Sequence, residues 1–194
     1  MRIRMLLAFA LLPLLAACAP SQHWELTSIK GHMPDLKFQL TGDQGKTLTA
    51  ADFRGKIVLL YFGYTHCPDV CPLAMTHMHM VMQKLGPVAD GVRILFVSVD
   101  PARDTPQVLH DYVNAFDPRA VGLTGDDDAI RALARRYRVA FTRGKPDAQG
   151  NYDVTHSSGI YIFDKQGHAR LIATSSGDID AMVHDIRQLA GASQ

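Results

Sequence analysis

IVLLYFGYTHCPDVCP, residues 57–72, is the stretch that decides the fold of this chain and supplies its reactive groups. Residues 57–62 form a continuous apolar run, which is typical of a strand buried on both faces of a sheet. Cys67 and Cys71 follow that run, and in open α/β sheets ligands and reactive groups collect at the carboxyl ends of strands. Two thiols at this spacing can close a redox disulfide or bind a soft metal ion, and the spacing alone does not choose between them.

The N-terminus has the layout of a secretory signal. Two arginines precede an apolar run over residues 5–15, which is shorter than the roughly 20 residues of a membrane-spanning helix. The sequence LAAC, residues 15–18, resembles the lipobox of bacterial lipoproteins, in which cleavage before the cysteine leaves it as a lipidated N-terminus. We therefore expect residues 1–17 to be a signal peptide and Cys18 to carry lipid, anchoring the protein to a membrane of the cell envelope on the periplasmic side. The alternative is an ordinary signal peptide with an incidental cysteine.

Composition narrows the class of protein. The formal net charge is +1, and no basic run is present, so nothing indicates a nucleic-acid partner. The chain has three cysteines, and with Cys18 lipidated no partner remains for a structural disulfide. Cys67 and Cys71 are then free for chemistry. We expect an anchor and tether over residues 18–34 and one domain over residues 35–194, because no internal repeat or inter-domain linker is visible.

Hydrophobic periodicity and turn signals predict a regular order of elements. These are a β-hairpin over residues 36–49, strands at 57–62 and 92–99, helices at 72–85, 105–116 and 126–137, a loop over 144–152, a strand pair at 159–164 and 169–174, and a closing helix at 178–189. The order predicts an α/β, thioredoxin-like layered fold, in which a mixed central sheet has helices on both sides and an N-terminal β-hairpin.

The two cysteines lie at i and i+4, on or beside the first turn of the predicted helix. We expect the N-terminus of that helix to lower the pKa of the thiols and to favour the thiolate, which both metal binding and disulfide exchange require. Thiolates are soft ligands that select Cu(I), and a third ligand would complete a copper site. His156 could be that ligand, although a lone histidine in a loop is more often an ordinary surface residue.

Three blocks of sequence resemble the Sco/SenC family, the copper-delivering proteins of cytochrome oxidase assembly. They are THCPDVCP at residues 65–72, VSVDPARDTP at residues 97–106, and HSSGIYIFDKQG at residues 156–167. The resemblance implies a membrane-tethered thioredoxin-like domain that binds copper, as Cu(I) or Cu(II), through Cys67, Cys71 and His156. It also implies a copper-binding subunit of cytochrome c oxidase as the recipient, with a periplasmic copper donor upstream.

Two positions bear on how far the resemblance extends. The family usually has an aspartate just before the histidine, where this chain has Thr155, with Asp153 two positions earlier. An acid at that place could orient the imidazole. Ordinary thioredoxins have a cis-proline in the loop that enters the strand after the active site. This chain has no proline between Pro146 and that strand, and His156 takes the corresponding stretch, which favours metal binding over disulfide exchange.

Three functions remain to be compared. A metallochaperone needs both cysteines and His156, whereas a thiol-disulfide oxidoreductase that reduces target cysteines needs only the cysteines. A redox or copper sensor that acts on a membrane kinase is a further alternative. Any enzymatic activity would be this thiol-disulfide exchange. A peroxidase of the peroxiredoxin type is disfavoured, because Thr65 lies only two residues before Cys67 and the upstream proline is missing.

Secondary signals lie in two further segments. Helical spacing predicts that Met75, Met78 and Met82 face the core and leaves Met80 near His77, where an auxiliary copper site is the less favoured interpretation. In the second segment, Asp100, Arg103 and Asp104 are interpreted as a turn with an ion pair rather than as a partner-docking loop. Asp69, between the cysteines, could tune the thiols, contact a partner or simply be a solvated turn residue.

Overall fold

Strands and helices alternate through most of the domain. The computed structural model describes residues 23–191. The strands of this range are β1 (Thr27–Ser28), β2 (Gln39–Gly42), β3 (Thr47–Thr49), β4 (Ile57–Gly63), β5 (Val92–Ser98), β6 (Ala120–Thr124), β7 (Phe141–Arg143), β8 (Val154–His156), β9 (Ile160–Phe163) and β10 (Ala169–Ala173). Its α-helices are α1 (Val70–Leu85), α2 (Pro106–Phe116), α3 (Asp127–Arg136) and α4 (Ile179–Gly191).

The apolar run at residues 57–63 lies at the centre of an eight-stranded mixed sheet. The strand order is β1-β10-β9-β4-β5-β6-β2-β3, and every residue of β4 is buried. Strand β4 pairs in parallel with β5 and antiparallel with β9, while β5 pairs in parallel with β6. Strands β7 and β8 form a separate two-stranded ribbon. The predicted hairpin is present as the antiparallel pair β2 and β3.

Helices cover both faces of this sheet. Successive side chains of β4 point to opposite faces, so the strand packs against a helical region on each side. The hydroxyl of Tyr61 faces Cys71 at the start of α1. The ring of Phe62 faces the other way and packs against Tyr137, directly after α3, with ring centroids 6.4 Å apart. The predicted fold class, a mixed central sheet with helices on both sides, is therefore confirmed. None of the helices within residues 23–191 combines the length and the apolar character needed to cross a bilayer.

Three strand regions differ from the predicted order. Strand β6 was not predicted, because its five residues include Gly122 and stand between two helices with no long apolar run. Strands β7 and β8 flank the predicted loop and are three residues each, too short for a periodic signal. Strand β1 pairs with β10, and Leu26 and Ile29 are buried, so this part of the predicted tether packs on the domain. The signal peptide predicted over residues 1–17 and the lipidation predicted at Cys18 lie outside the described residues.

Candidate metal centre

The two cysteines lie in the connection between β4 and α1. Strand β4 ends at Gly63, where a Cβ would lie only 2.8 Å from the ring of Phe96, so the close packing of the strand end requires glycine. The backbone N–H of Cys67 donates to the carbonyl of Tyr64 at 3.3 Å. Cys71 is the second residue of α1, and its backbone N–H donates to Sγ of Cys67 at 3.4 Å. One N–H group of the helix start therefore faces the first sulfur, where it favours negative charge.

His156 reaches the cysteines from the far end of the sequence. It is the last residue of β8, paired with Phe141 of β7, and its Nε2 lies 3.3 Å from Sγ of Cys71. The ligand atoms of Cys67, Cys71 and His156 all lie within 4.8 Å of one another. No other group of three such histidine, cysteine or acidic ligands occurs within residues 23–191. The structure thus brings together all three side chains that the sequence singled out.

The tautomer of His156 follows from its other nitrogen. Nδ1 lies 3.0 Å from the carbonyl oxygen of Ser157, which can only accept a hydrogen bond, so Nδ1 carries the proton. Nε2 then presents its lone pair towards Cys71. Asp153 is exposed, and the carbonyl of Ser157 instead provides the orienting hydrogen bond that an aspartate at position 155 could give.

Two tyrosines enclose the imidazole. The rings of Tyr61 and Tyr64 meet it edge-on, with centroid distances of 6.1 Å and 5.9 Å and interplanar angles of 82° and 89°. The hydroxyl of Tyr61 also donates to Sγ of Cys71 at 3.8 Å. Cys71 has no exposed surface, and Cys67 is 8% exposed. The ligand atoms therefore meet in an apolar pocket that excludes most water and orients the imidazole by its walls.

Burial changes the proton affinities of this site. It raises the pKa of the Cys71 thiol to about 12, and it lowers the pKa of His156 below its ordinary value. The expectation of a lowered thiol pKa is therefore wrong for Cys71, because the loss of water around a fully buried sulfur outweighs the helix N-terminus. Without metal, Cys71 is a thiol and His156 is neutral at pH 7. Metal binding must therefore displace the proton of Cys71.

A buried carboxylate holds the cysteine loop in place. Asp104 has no exposed surface, and Thr65 donates to it from its hydroxyl at 2.6 Å and from its backbone N–H at 3.1 Å. Ser98 donates to the same carboxylate at 2.6 Å. The ion pair predicted in this turn is present between Arg103 and Asp100. Asp104 thus connects the end of β5 to the residues just before Cys67.

Several residues of this site were not found from the sequence. Tyr61 and Tyr64 read as core aromatics, Tyr152 lies in the loop predicted over residues 144–152, and Arg143 lies just before that loop. The position of Tyr61, one strand residue before Phe62 and close to the cysteines, was the available signal, because alternation places it on the α1 side. Nothing in the local sequence connects Tyr152 to a site around Cys67.

The burial of the methionines in α1 agrees with the prediction from helical spacing. Met75, Met78 and Met82 are buried, whereas Met80 is 39% exposed. Nδ1 of His77 lies 3.1 Å from the hydroxyl oxygen of Ser176, a structural contact with the loop before α4. The core interpretation of the three buried methionines is correct. Asp69 is exposed, and its carboxylate caps no helical N–H.

Comparison with known proteins gives a consistent result. A family model described as SCO1/SenC matches residues 29–191. The protein SCO2 homolog, mitochondrial, of Bos taurus is 42% identical over 132 residues, which cover 67% of this chain and 50% of the bovine protein. The chain spans about half the length of the curated relatives it matches.

Solved structures agree with the sequence matches. The crystal structure of Arabidopsis thaliana ScoI with copper bound has a TM-score of 0.74 and 33% identity, and the match covers 80% of this chain and 96% of that one. The structure of Bradyrhizobium japonicum ScoI with copper bound has a TM-score of 0.71 and 35% identity, with coverage of 80% and 99%. Because the family model matches most of the domain and the fold agrees with these structures, the chain belongs to the SCO1/SenC family.

Proposed function

We propose that this chain is a copper metallochaperone, which binds copper through Cys67, Cys71 and His156 and delivers it to the copper centre of a cytochrome c oxidase subunit. The observation that carries the proposal is the convergence of two sulfur atoms and one imidazole nitrogen within 4.8 Å of one another. Two relatives that are 33% and 35% identical are described with copper bound, which supports copper as the metal.

The donor set suits copper that must be released again. Two thiolates are good ligands for Cu(I), and an imidazole also serves Cu(II). Three ligands leave room for a ligand of the receiving protein, so the metal can pass between proteins without becoming free. The contribution of this chain is to give up the thiol proton of Cys71 and to keep the Nδ1 proton of His156 on the Ser157 carbonyl. Tyr61 and Tyr64 keep water away during the transfer.

A copper titration of the reduced full chain tests the binding step. We expect one tightly bound Cu(I) per chain, and loss of tight binding in Cys67→Ser and Cys71→Ser, because a hydroxyl is a poor ligand for Cu(I). Transfer is then followed by mixing the loaded protein with the copper-binding domain of an oxidase subunit. Tight binding that survives both serine substitutions would contradict the proposed ligand set, and binding without transfer would contradict delivery.

A thiol-disulfide oxidoreductase is the second candidate function. Two buried free cysteines, with the N–H of Cys71 donating to the sulfur of Cys67, support it. The raised pKa of Cys71 argues against this thiol as an attacking nucleophile, since thiolates carry out the exchange. In that function the protein would reduce the cysteines of the oxidase subunit or report on the redox state of the envelope.

We also propose that Cys18 is the lipidated N-terminus of the mature protein, after a signal peptide over residues 1–17 and before a tether that ends where residues 26–29 pack on the domain. The motif at residues 15–18 supports this. The domain would then face the periplasm, where a copper donor and the oxidase subunit could both reach it.

The anchor is tested with Cys18→Ser. We expect this variant to be found in the soluble envelope fraction or to stay unprocessed, whereas the parent chain stays with membranes. Mass spectrometry of the mature protein gives the direct measurement. An unmodified Cys18 within an intact N-terminus would rule out the lipid anchor. The proposed copper binding does not depend on this result.

A further inference from the structure

The strand that carries His156 is not part of the main sheet. Strands β7 and β8 pair only with each other, so no backbone ladder joins them to the eight-stranded sheet that supports the cysteines. The separation between Nε2 of His156 and Sγ of Cys71 must therefore be set by other contacts. The rings of Tyr61 and Tyr64 limit how the imidazole turns, and the hydroxyl of Tyr64 accepts a hydrogen bond of 3.4 Å from the backbone N–H of Val154 in β8. Two side chains of the ribbon and its loop add further attachments.

Arg143 provides one attachment of the ribbon. It is the last residue of β7, and its guanidinium donates to the carbonyl of Val99 at 3.0 Å and 2.6 Å. The same side chain pairs with Asp127 at 2.6 Å. Val99 directly follows β5, so Arg143 fixes the ribbon to the end of the strand next to β4.

Tyr152 provides the second attachment, two residues before β8. Its hydroxyl donates to the carboxylate of Asp100 at 2.6 Å, and the guanidinium of Arg103 lies over its ring, 3.7 Å from the centroid. Asp100 has no exposed surface. A hydrogen bond to a buried carboxylate is among the stronger ones in a protein, so this contact fixes the approach of the chain to His156.

One turn therefore holds both halves of the ligand set. Asp100, at its start, holds the ribbon of His156 through Tyr152. Asp104, at its end, holds the loop of Cys67 through Thr65. The two carboxylates are four residues apart in one tight turn, in which the N–H of Asp104 donates to the carbonyl of Asp100 at 3.0 Å. The distance between the imidazole and the thiols therefore depends on one short segment, residues 100–104.

We propose that Tyr152 is a positioning residue for copper binding: its hydrogen bond to Asp100 holds the β7–β8 ribbon so that His156 meets Cys71. The inference rests on the proposed function for the identity of the metal. Outer partners that orient a metal ligand typically contribute about 10- to 100-fold to metal affinity. Tyr152 acts on His156 through the ribbon rather than by a direct hydrogen bond to the imidazole. We therefore expect copper affinity to fall about tenfold, the lower end of that range, when its hydroxyl is removed.

The test uses Tyr152→Phe in the full chain, because this change removes the hydroxyl and keeps the ring under Arg103. Tyr161→Phe is the matched control, since Tyr161 donates a buried hydrogen bond of 2.9 Å to the carbonyl of Tyr137, and neither residue belongs to β7 or β8. In the metal-free protein, proton NMR contacts between the rings of His156 and Tyr64 report the position of the imidazole. Competition with a Cu(I) chelator and the absorption of the Cu(II)–thiolate complex report the effect on the metal.

We expect Tyr152→Phe to weaken the contacts between the rings, to lower copper affinity about tenfold, and to leave the Cys67–Cys71 disulfide able to form and be reduced. Tyr161→Phe should lower only the stability of the fold. Unchanged ring contacts, unchanged copper affinity, or an equal loss in both variants would each overturn the inference. If the parent chain binds no copper, the proposed function fails, and the ring contacts in the metal-free protein still decide the role of Tyr152.

Discussion

Replacing His156 with alanine should abolish a stable, coloured Cu(II)–thiolate complex and weaken the retention of Cu(I) by more than about 100-fold, beyond the loss of an orienting partner. Two thiolates alone tend to be oxidised by Cu(II), so the imidazole is needed to hold that ion. The Cys67–Cys71 disulfide should still form and be reduced in this variant, because no step of thiol exchange uses the imidazole. Visible absorption, a Cu(I) competition assay and thiol titration measure the three properties.

The matched control is His168→Ala. The His168 side chain is 57% exposed and lies beside Asp164, at the turn between β9 and β10, so copper binding should not change. In cells, oxidase assembly should fail with His156→Ala unless copper is supplied in excess. If cells with His156→Ala assemble the oxidase normally at low copper while cells with Cys67→Ser do not, His156 is not required as a ligand. That result would favour the oxidoreductase function.

Asp104→Ala should give the largest loss of stability among changes near the site, with the free energy of unfolding lowered by about 3 kcal/mol. Its carboxylate accepts three hydrogen bonds, from the hydroxyl and the backbone N–H of Thr65 and from the hydroxyl of Ser98. Ser98 has no exposed surface, so water cannot easily replace the carboxylate as the partner of its hydroxyl. Because the loop before Cys67 loses its support, copper affinity should fall in the same variant. Urea unfolding of the metal-free protein and the Cu(I) competition assay measure the two effects.

Asp111→Ala is the control for this change. Asp111 is exposed on α2 and accepts one hydrogen bond from Gln107, so its loss should change stability by less than about 0.5 kcal/mol. Asp104→Asn should fall between the two, since an amide oxygen can replace one acceptor while its NH₂ group faces donors. A stability of Asp104→Ala within 1 kcal/mol of the parent chain, taken as a marginal effect, would show that the loop is supported by other contacts.

The central part of the fold could be predicted because its signals are local. The apolar run that forms β4, the proline-containing start of α1 and the turn between β2 and β3 each depend on residues that are neighbours in sequence. The same is true of the caps: Thr105 accepts from the N–H of Val108, and Asp126 accepts from that of Ala129. Such short-range rules also placed the two cysteines beside a helix N-terminus and three of the methionines in the core.

Long-range packing decided the rest. His156 lies 85 residues from Cys71, and no periodicity could predict that a short ribbon would bring Nε2 to 3.3 Å from the sulfur. The resemblance to the family motifs indicated this histidine as a metal ligand. Its own sequence context, a lone histidine in a loop, did not. The raised pKa of Cys71 likewise depends on the burial of its sulfur beneath Tyr61, which only the assembled structure defines. The sequence by itself determined which side chains could bind a metal ion, whereas the tertiary structure decided the distances between them, their protonation and their support, because these depend on contacts between segments that are far apart in the chain.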